Sequence, residues 1–162
     1  MPEKNSLDEL DYAIIKILND NARIPASDIA RTLKVNQRTV RNRIDHLVES
    51  GAIRLTAIVD PKAFGYWISV DIFLEIDMLH NKEILEQLEK MPNISYIAYG
   101  QGNNAISIEA RFKDNEEMVT FLSQTLPSIN GVKVVGYALV PLILRNIDRW
   151  VPPAKEFGHS ED

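Results

Sequence analysis

Gln37, Arg38, Arg41 and Asn42 fall within six residues of one another. Arg offers a forked pair of donors that matches guanine, and Asn or Gln offers the donor and acceptor that match adenine. Lys34, Asn36, Thr39, Arg43 and Arg54 surround them, and such side chains hydrogen-bond phosphate oxygens. Residues 31–54 hold six Lys/Arg against only Asp45 and Glu49, a local excess of four positive charges. The chemistry on offer is recognition of duplex DNA, provided one face of one helix carries these groups.

The flanking pattern provides such a face. Val40, Ile44, Leu47 and Val48 recur at helical spacing and form the buried stripe of a helix capped by Asn36 and ended at Gly51. That stripe turns Gln37, Arg38, Arg41 and Asn42 outward. Arg43 lies at its margin, so its guanidinium serves either a phosphate or the fold. A shorter helix opens near Pro25 and buries Ile29, Ala30 and Leu33, with Lys34-Val35-Asn36 as the intervening turn. Ala30 is small enough to let the two helices cross closely, as in a helix-turn-helix. A first helix opens at Ser6, where Ser6 and Glu9 fit a capping box, and carries Leu7, Leu10, Ile14, Ile17 and Leu18. An ordinary solvated three-helix bundle shares this stripe, so the pattern alone leaves both readings open.

Past Gly51 the period changes to two. Ile53 to Val59 is a candidate strand, and Asp60-Pro61 turns into a linker that reaches Gly65. Strands are expected over 66–76, 94–99, 106–112 and 132–144, with helices over 82–91 and 115–126. The order β-α-β-β-α-β is the ferredoxin-like plan, an antiparallel sheet with both helices on one face. The last strand is apolar on both faces, so the uncovered side of the sheet is expected to pack on a second copy. Pro141 cannot donate to a ladder and belongs at an edge or bulge. Residues after Ile147 read as a tail with no core of its own.

Much chemistry is excluded. The 162 residues contain no cysteine, which removes disulfides, thiolate metal sites and a Cys nucleophile. His46, His80 and His159 have no second histidine at helical spacing, so no metal or other cofactor is expected. There is no G-x-S-x-G and no phosphate-binding G-x-x-x-x-G-K. No catalytic residue is assigned. Acidic residues at positions 3, 8, 9, 11 and 20 rule out a signal or transit peptide, and no apolar run spans a bilayer. A soluble, cytoplasmic protein without a membrane partner is expected. The net charge of −5 resides wholly beyond residue 60, because the first sixty residues hold nine basic and nine acidic side chains.

The motifs Leu7-Asp8-Glu9-Leu10-Asp11, Asn21-Ala22-Arg23-Ile24, Asp28-Ile29-Ala30, Thr39-Val40-x-x-Arg43-Ile44-x-x-Leu47, Gly51-x-Ile53 and Asp60-Pro61 resemble the Lrp/AsnC (feast/famine) family of transcriptional regulators. The resemblance runs from about residue 6 to 147. It implies an α+β fold: a three-helix, winged-helix-like helix-turn-helix domain over 1–52 and a strand-containing hinge over 53–65. A ferredoxin-like effector-binding and oligomerisation domain over 66–147 and a tail over 148–162 complete it. It also implies a homodimer, in some members a tetramer or octamer, on a palindromic operator in double-stranded DNA, with an amino acid as effector. The effector hairpin would be Gly100, Gln101, Gly102, Asn103 and Asn104. Many members carry Gly-Asp-x-Asp there, whereas this chain has no carboxylate to hold an ammonium group. Lys34 stands where the family usually has Gly. Two rivals on the same scaffold are a siroheme (tetrapyrrole) decarboxylase and an effector-sensing assembly protein that does not bind DNA.

Overall fold

The structure, a computed structural model, describes residues 7–100 and 105–158. It comprises two compact units. One runs to Ile58 and resumes at Leu144, and the other is Val59–Ile143.

In the first unit, α1 (Glu9–Asp20), α2 (Ala26–Leu33) and α3 (Gln37–Glu49) bury Ile14, Leu18, Ile29, Ala30, Val40 and Leu47 against one another. The start of α1 differs from expectation, and Ser6 lies outside the described residues. Asp8 is the N-cap, and the capping box forms between Asp8 and Asp11. The Asp11 backbone N–H donates to Asp8 Oδ1 at 3.0 Å, and the Asp8 N–H donates to Asp11 Oδ2 at 3.1 Å. Pro25 caps α2, so that helix opens one residue past it. Val48, expected in the buried stripe of α3, is 42% exposed. It lies about 80° around the helix from Val40, at the stripe's edge.

Two further expectations fail in this unit. Residues 53–59 form no strand, because a strand needs a ladder and no segment among the described residues pairs with these amides. Leu55, Ile58 and Val59 stay exposed there. The segment read as a coreless tail packs on α1 instead. Phe157, in a short 3₁₀ turn over Ala154–Phe157, is buried, and Asn19 Nδ2 donates to the Asp148 carbonyl at 3.1 Å.

The second unit is a four-stranded antiparallel sheet in the order β2-β3-β1-β4, built from β1 (Ile68–Ile76), β2 (Ile94–Tyr99), β3 (Ala105–Phe112) and β4 (Val132–Leu139). Helices α4 (Asn81–Glu89) and α5 (Asn115–Thr120) contribute Ile84, Leu88 and Met118 to the core with Val70, Ile72, Leu74, Ile106, Ile108 and Phe112. The second helix, expected to continue to residue 126, passes into a π turn over Phe121–Thr125 and a 3₁₀ turn over Leu126–Ser128. Pro127 lacks the N–H that a regular α-helix would use there. β4 ends at Leu139, short of the expected 144. Val140 N–H makes the last bond, 2.8 Å to the Ser69 carbonyl, and Pro141 follows with no donor. A register shift between Phe73 and Leu74 also breaks the expected alternation of β4. Beyond it Tyr137 and Leu139 stand opposite Ile72 and Val70, on the same face as Val134. On the uncovered face Arg111 pairs with Glu109 at 2.6 Å and Lys133 with Glu75 at 3.1 Å, while Asp71, opposite Glu109, makes no ion pair among the described residues. Phe73 and Tyr96 lie exposed among them.

Candidate nucleic-acid interface

The turn from α2 to α3 is made by Lys34, at φ 56° and ψ 40°, the one non-glycine residue with positive φ among those described. A side chain in this left-handed region costs roughly 1–2 kcal/mol, which explains why glycine suits the position. The Val35 N–H closes the turn on the Ala30 carbonyl at 3.0 Å.

Asn36 then caps α3, its side-chain oxygen accepting from the Arg38 N–H at 2.7 Å. One end of Asn36 is therefore committed to the helix, leaving its amide nitrogen outward. The first turn of α3 contains no acidic residue. Its unpaired backbone N–H groups and the positive end of the helix dipole thus face solvent without a carboxylate to neutralise them.

Gln37, Arg38, Thr39, Arg41 and Asn42 are all exposed on this half of the helix, because Val40 and Leu47 take the buried side. Among the described residues neither Arg38 nor Arg41 has a carboxylate within ion-pair distance, and the same holds for Lys34 and Arg54. These cations are uncommitted.

Arg43 is not. Its Nη1 donates to Asp11 Oδ2 at 2.9 Å, and its Nη2 lies 2.8 Å from Asp8 Oδ2. Asp11 is 1% exposed. The partners Asp8 and Asp11 were not singled out from the sequence. Their spacing of three and the marginal place of Arg43 were the available signals, but only the crossing of α1 and α3 joins them.

At the other proposed site, Gly100 is exposed at the end of β2, whereas Gln101, Gly102, Asn103 and Asn104 lie outside the described residues. Among the histidines, His46 is exposed on α3, His80 Nδ1 lies 3.1 Å from Asp77 Oδ2, and His159 lies outside the described residues. No group of three or more His, Asp or Glu among the described residues is placed to hold a metal. No described helix is long and apolar enough to cross a membrane.

Residues 7–48 match the AsnC-type helix-turn-helix domain. Over 148 residues the chain is 30% identical to an uncharacterized HTH-type transcriptional regulator of Pyrococcus horikoshii, covering 91% of each. It is 34% identical over 128 residues to the HTH-type transcriptional regulator FL11 of the same organism, which covers 78% of this chain and 84% of that one. Among solved structures, a transcriptional regulator of Neisseria meningitidis in complex with L-Met superposes with a TM-score of 0.79 at 19% identity, over 86% of this chain and 93% of that one.

Proposed function

Since the chain belongs to the Lrp/AsnC family of helix-turn-helix transcriptional regulators, we propose that the N-terminal half of α3 reads base edges in the major groove of its operator. Gln37, Arg38, Arg41 and Asn42 contact bases, while Lys34, Asn36, Thr39 and Arg54 hold phosphates. Arg43 leaves the set of phosphate contacts, since its guanidinium is already bound. The observation that carries this reading is the contrast on one helix. Arg38 and Arg41 are exposed with no acidic partner, above a helix start without acids, while Arg43 is tied inward.

The active form is a homodimer joined through the uncovered sheet face, where Arg111 pairs with Glu109, Lys133 pairs with Glu75, and Phe73 and Tyr96 lie exposed. Two recognition helices then meet a loose palindrome with half-sites about 10 bp apart, or multiples of that. The effector is an amino acid or similar metabolite taken up at residues 100–104. Their amides replace the carboxylates usual there, so a free ammonium group is held less strongly. The protein acts in the cytoplasm as a regulator and not as a catalyst.

The test is selection of duplexes from a random pool by the full chain, with and without a mixture of the twenty amino acids. A recovered palindrome supports the reading, and a pool that stays random overturns it.

A further inference from the structure

We propose that Arg43 is a positioning residue: its fork on Asp8 and Asp11 sets the rotation of α3 about its own axis and so aims Arg38 and Arg41 at the bases. The inference rests on the DNA-reading face described above and adds the element that orients it.

The fork has unusual stiffness for a partly exposed ion pair. Both carboxylates are already immobilised, since each accepts a backbone N–H from the other residue across the first turn of α1. Arg43 then reaches both at once through two different nitrogens, at 2.9 and 2.8 Å. Planar two-pronged contacts of this kind fix direction as well as distance. Asp11 Oδ1 is buried with no hydrogen-bond partner among the described residues. The buried carboxylate therefore relies on Oδ2 alone, shared by the Asp8 N–H and Arg43. It has no alternative partner to which it can swing, so α3 has one favoured setting against α1.

Geometry makes that setting matter. At 3.6 residues per turn, Arg43 lies about 140° around the helix from Arg38 and about 160° from Arg41. A contact on the back of the helix thus controls the front. An Arg head group about 7 Å from the helix axis moves about 1.2 Å for each 10° of rotation, and a base-edge hydrogen bond tolerates only a few tenths of an ångström. The apolar stripe cannot supply this precision by itself, because methyl contacts are not directional.

A phosphate contact at Arg43 makes different predictions. Losing such a contact weakens binding equally on all sequences and lowers the salt slope by about one. Losing a positioning contact lowers discrimination and leaves the slope alone.

The experiment measures dissociation constants of the full chain for its selected duplex and for a random duplex, across a salt series. The variants are Arg43→Lys, Asp8→Asn and the two combined, with Arg41→Ala as a reference. Arg43→Lys keeps the charge but loses the fork, and Asp8→Asn leaves Arg43 intact, so both stay informative should a harsher change unfold the unit. The expected result is a fall of about tenfold in the selected-to-random ratio for each single variant, no larger fall for the double, and an unchanged salt slope. A ratio that survives both single variants, with or without an equal loss on both duplexes, overturns the positioning role while leaving the DNA-reading proposal standing. A wild-type chain that shows no preference at all removes both.

Discussion

Tyr12, in the first helix, and Phe157, near the far end of the described chain, stand with ring centroids 5.0 Å apart and planes inclined at 48°. Tilted aromatic pairs at this distance are favourable beyond their burial, and Phe157 is only 3% exposed. The helical unit is thus assembled from both ends of the described chain, and the polypeptide passes between the two units twice. Phe157→Ala should destabilise the helical unit by about 3 kcal/mol. Hydrogen exchange resolved by segment should show faster exchange throughout α1, with the sheet unaffected. Unchanged protection in α1 would mean that Phe157 is ornamental.

Lys34 yields a prediction with opposite signs in two measurements. Lys34→Gly removes the left-handed strain, although glycine also frees the unfolded chain, so a net gain of about 0.5–1 kcal/mol is expected. The same change deletes the phosphate contact proposed for Lys34, so DNA affinity should fall on all sequences and the salt slope by about one. Thermal melts and binding titrations on the same sample read both. A stabilised variant with undiminished affinity would remove Lys34 from the interface.

Gly131 is the position where the sheet unit should be least tolerant. Its φ is +82°, and a Cβ there would lie 2.9 Å from Asp77 Cβ and 3.4 Å from Ile84 Cδ1. Its carbonyl also accepts the Asp77 N–H at 2.8 Å. Gly131→Ala combines backbone strain with a backbone-anchored clash, and a loss of about 2–3 kcal/mol is expected. Urea denaturation followed by tryptophan fluorescence provides the measurement.

The sheet face gives a fourth prediction. Phe73→Asp adds an acidic charge to a face that already carries Asp71, Glu75 and Glu109, and the proposed dimer should dissociate to monomers in sedimentation at micromolar concentration. Val119→Asp, on the exposed side of α5, is the control and should leave assembly intact.

Acid should weaken the helical unit through Asp8. Partial burial raises its pKa, but the Asp11 backbone N–H and the Arg43 guanidinium outweigh this, and the net value lies below the ordinary 3.8. A carboxyl with a depressed folded pKa contributes stability above its unfolded value and loses it as pH falls through the folded one. The urea midpoint should therefore decline below about pH 3.8, and less steeply in Asp8→Asn. Identical declines in the two proteins would show that other carboxylates dominate.

Local features were legible in the sequence because their causes are local. Helical and alternating periodicity placed α2, α3 and β1–β3, and Val40 with Leu47 sufficed to turn residues 37–42 outward. Asn36 and Gly51 marked the ends of α3 for the same reason: a cap depends on its own few residues. Where only the tertiary structure decided, the deciding partner lay far along the chain or was missing. Arg43 differs from Arg38 and Arg41 only because α3 crosses the first turn of α1. The tail acquired a core only because Tyr12 meets Phe157, and residues 53–59 stayed without a ladder because no segment among the described residues pairs with them. Periodicity states which way a side chain points, and only packing states what it finds there.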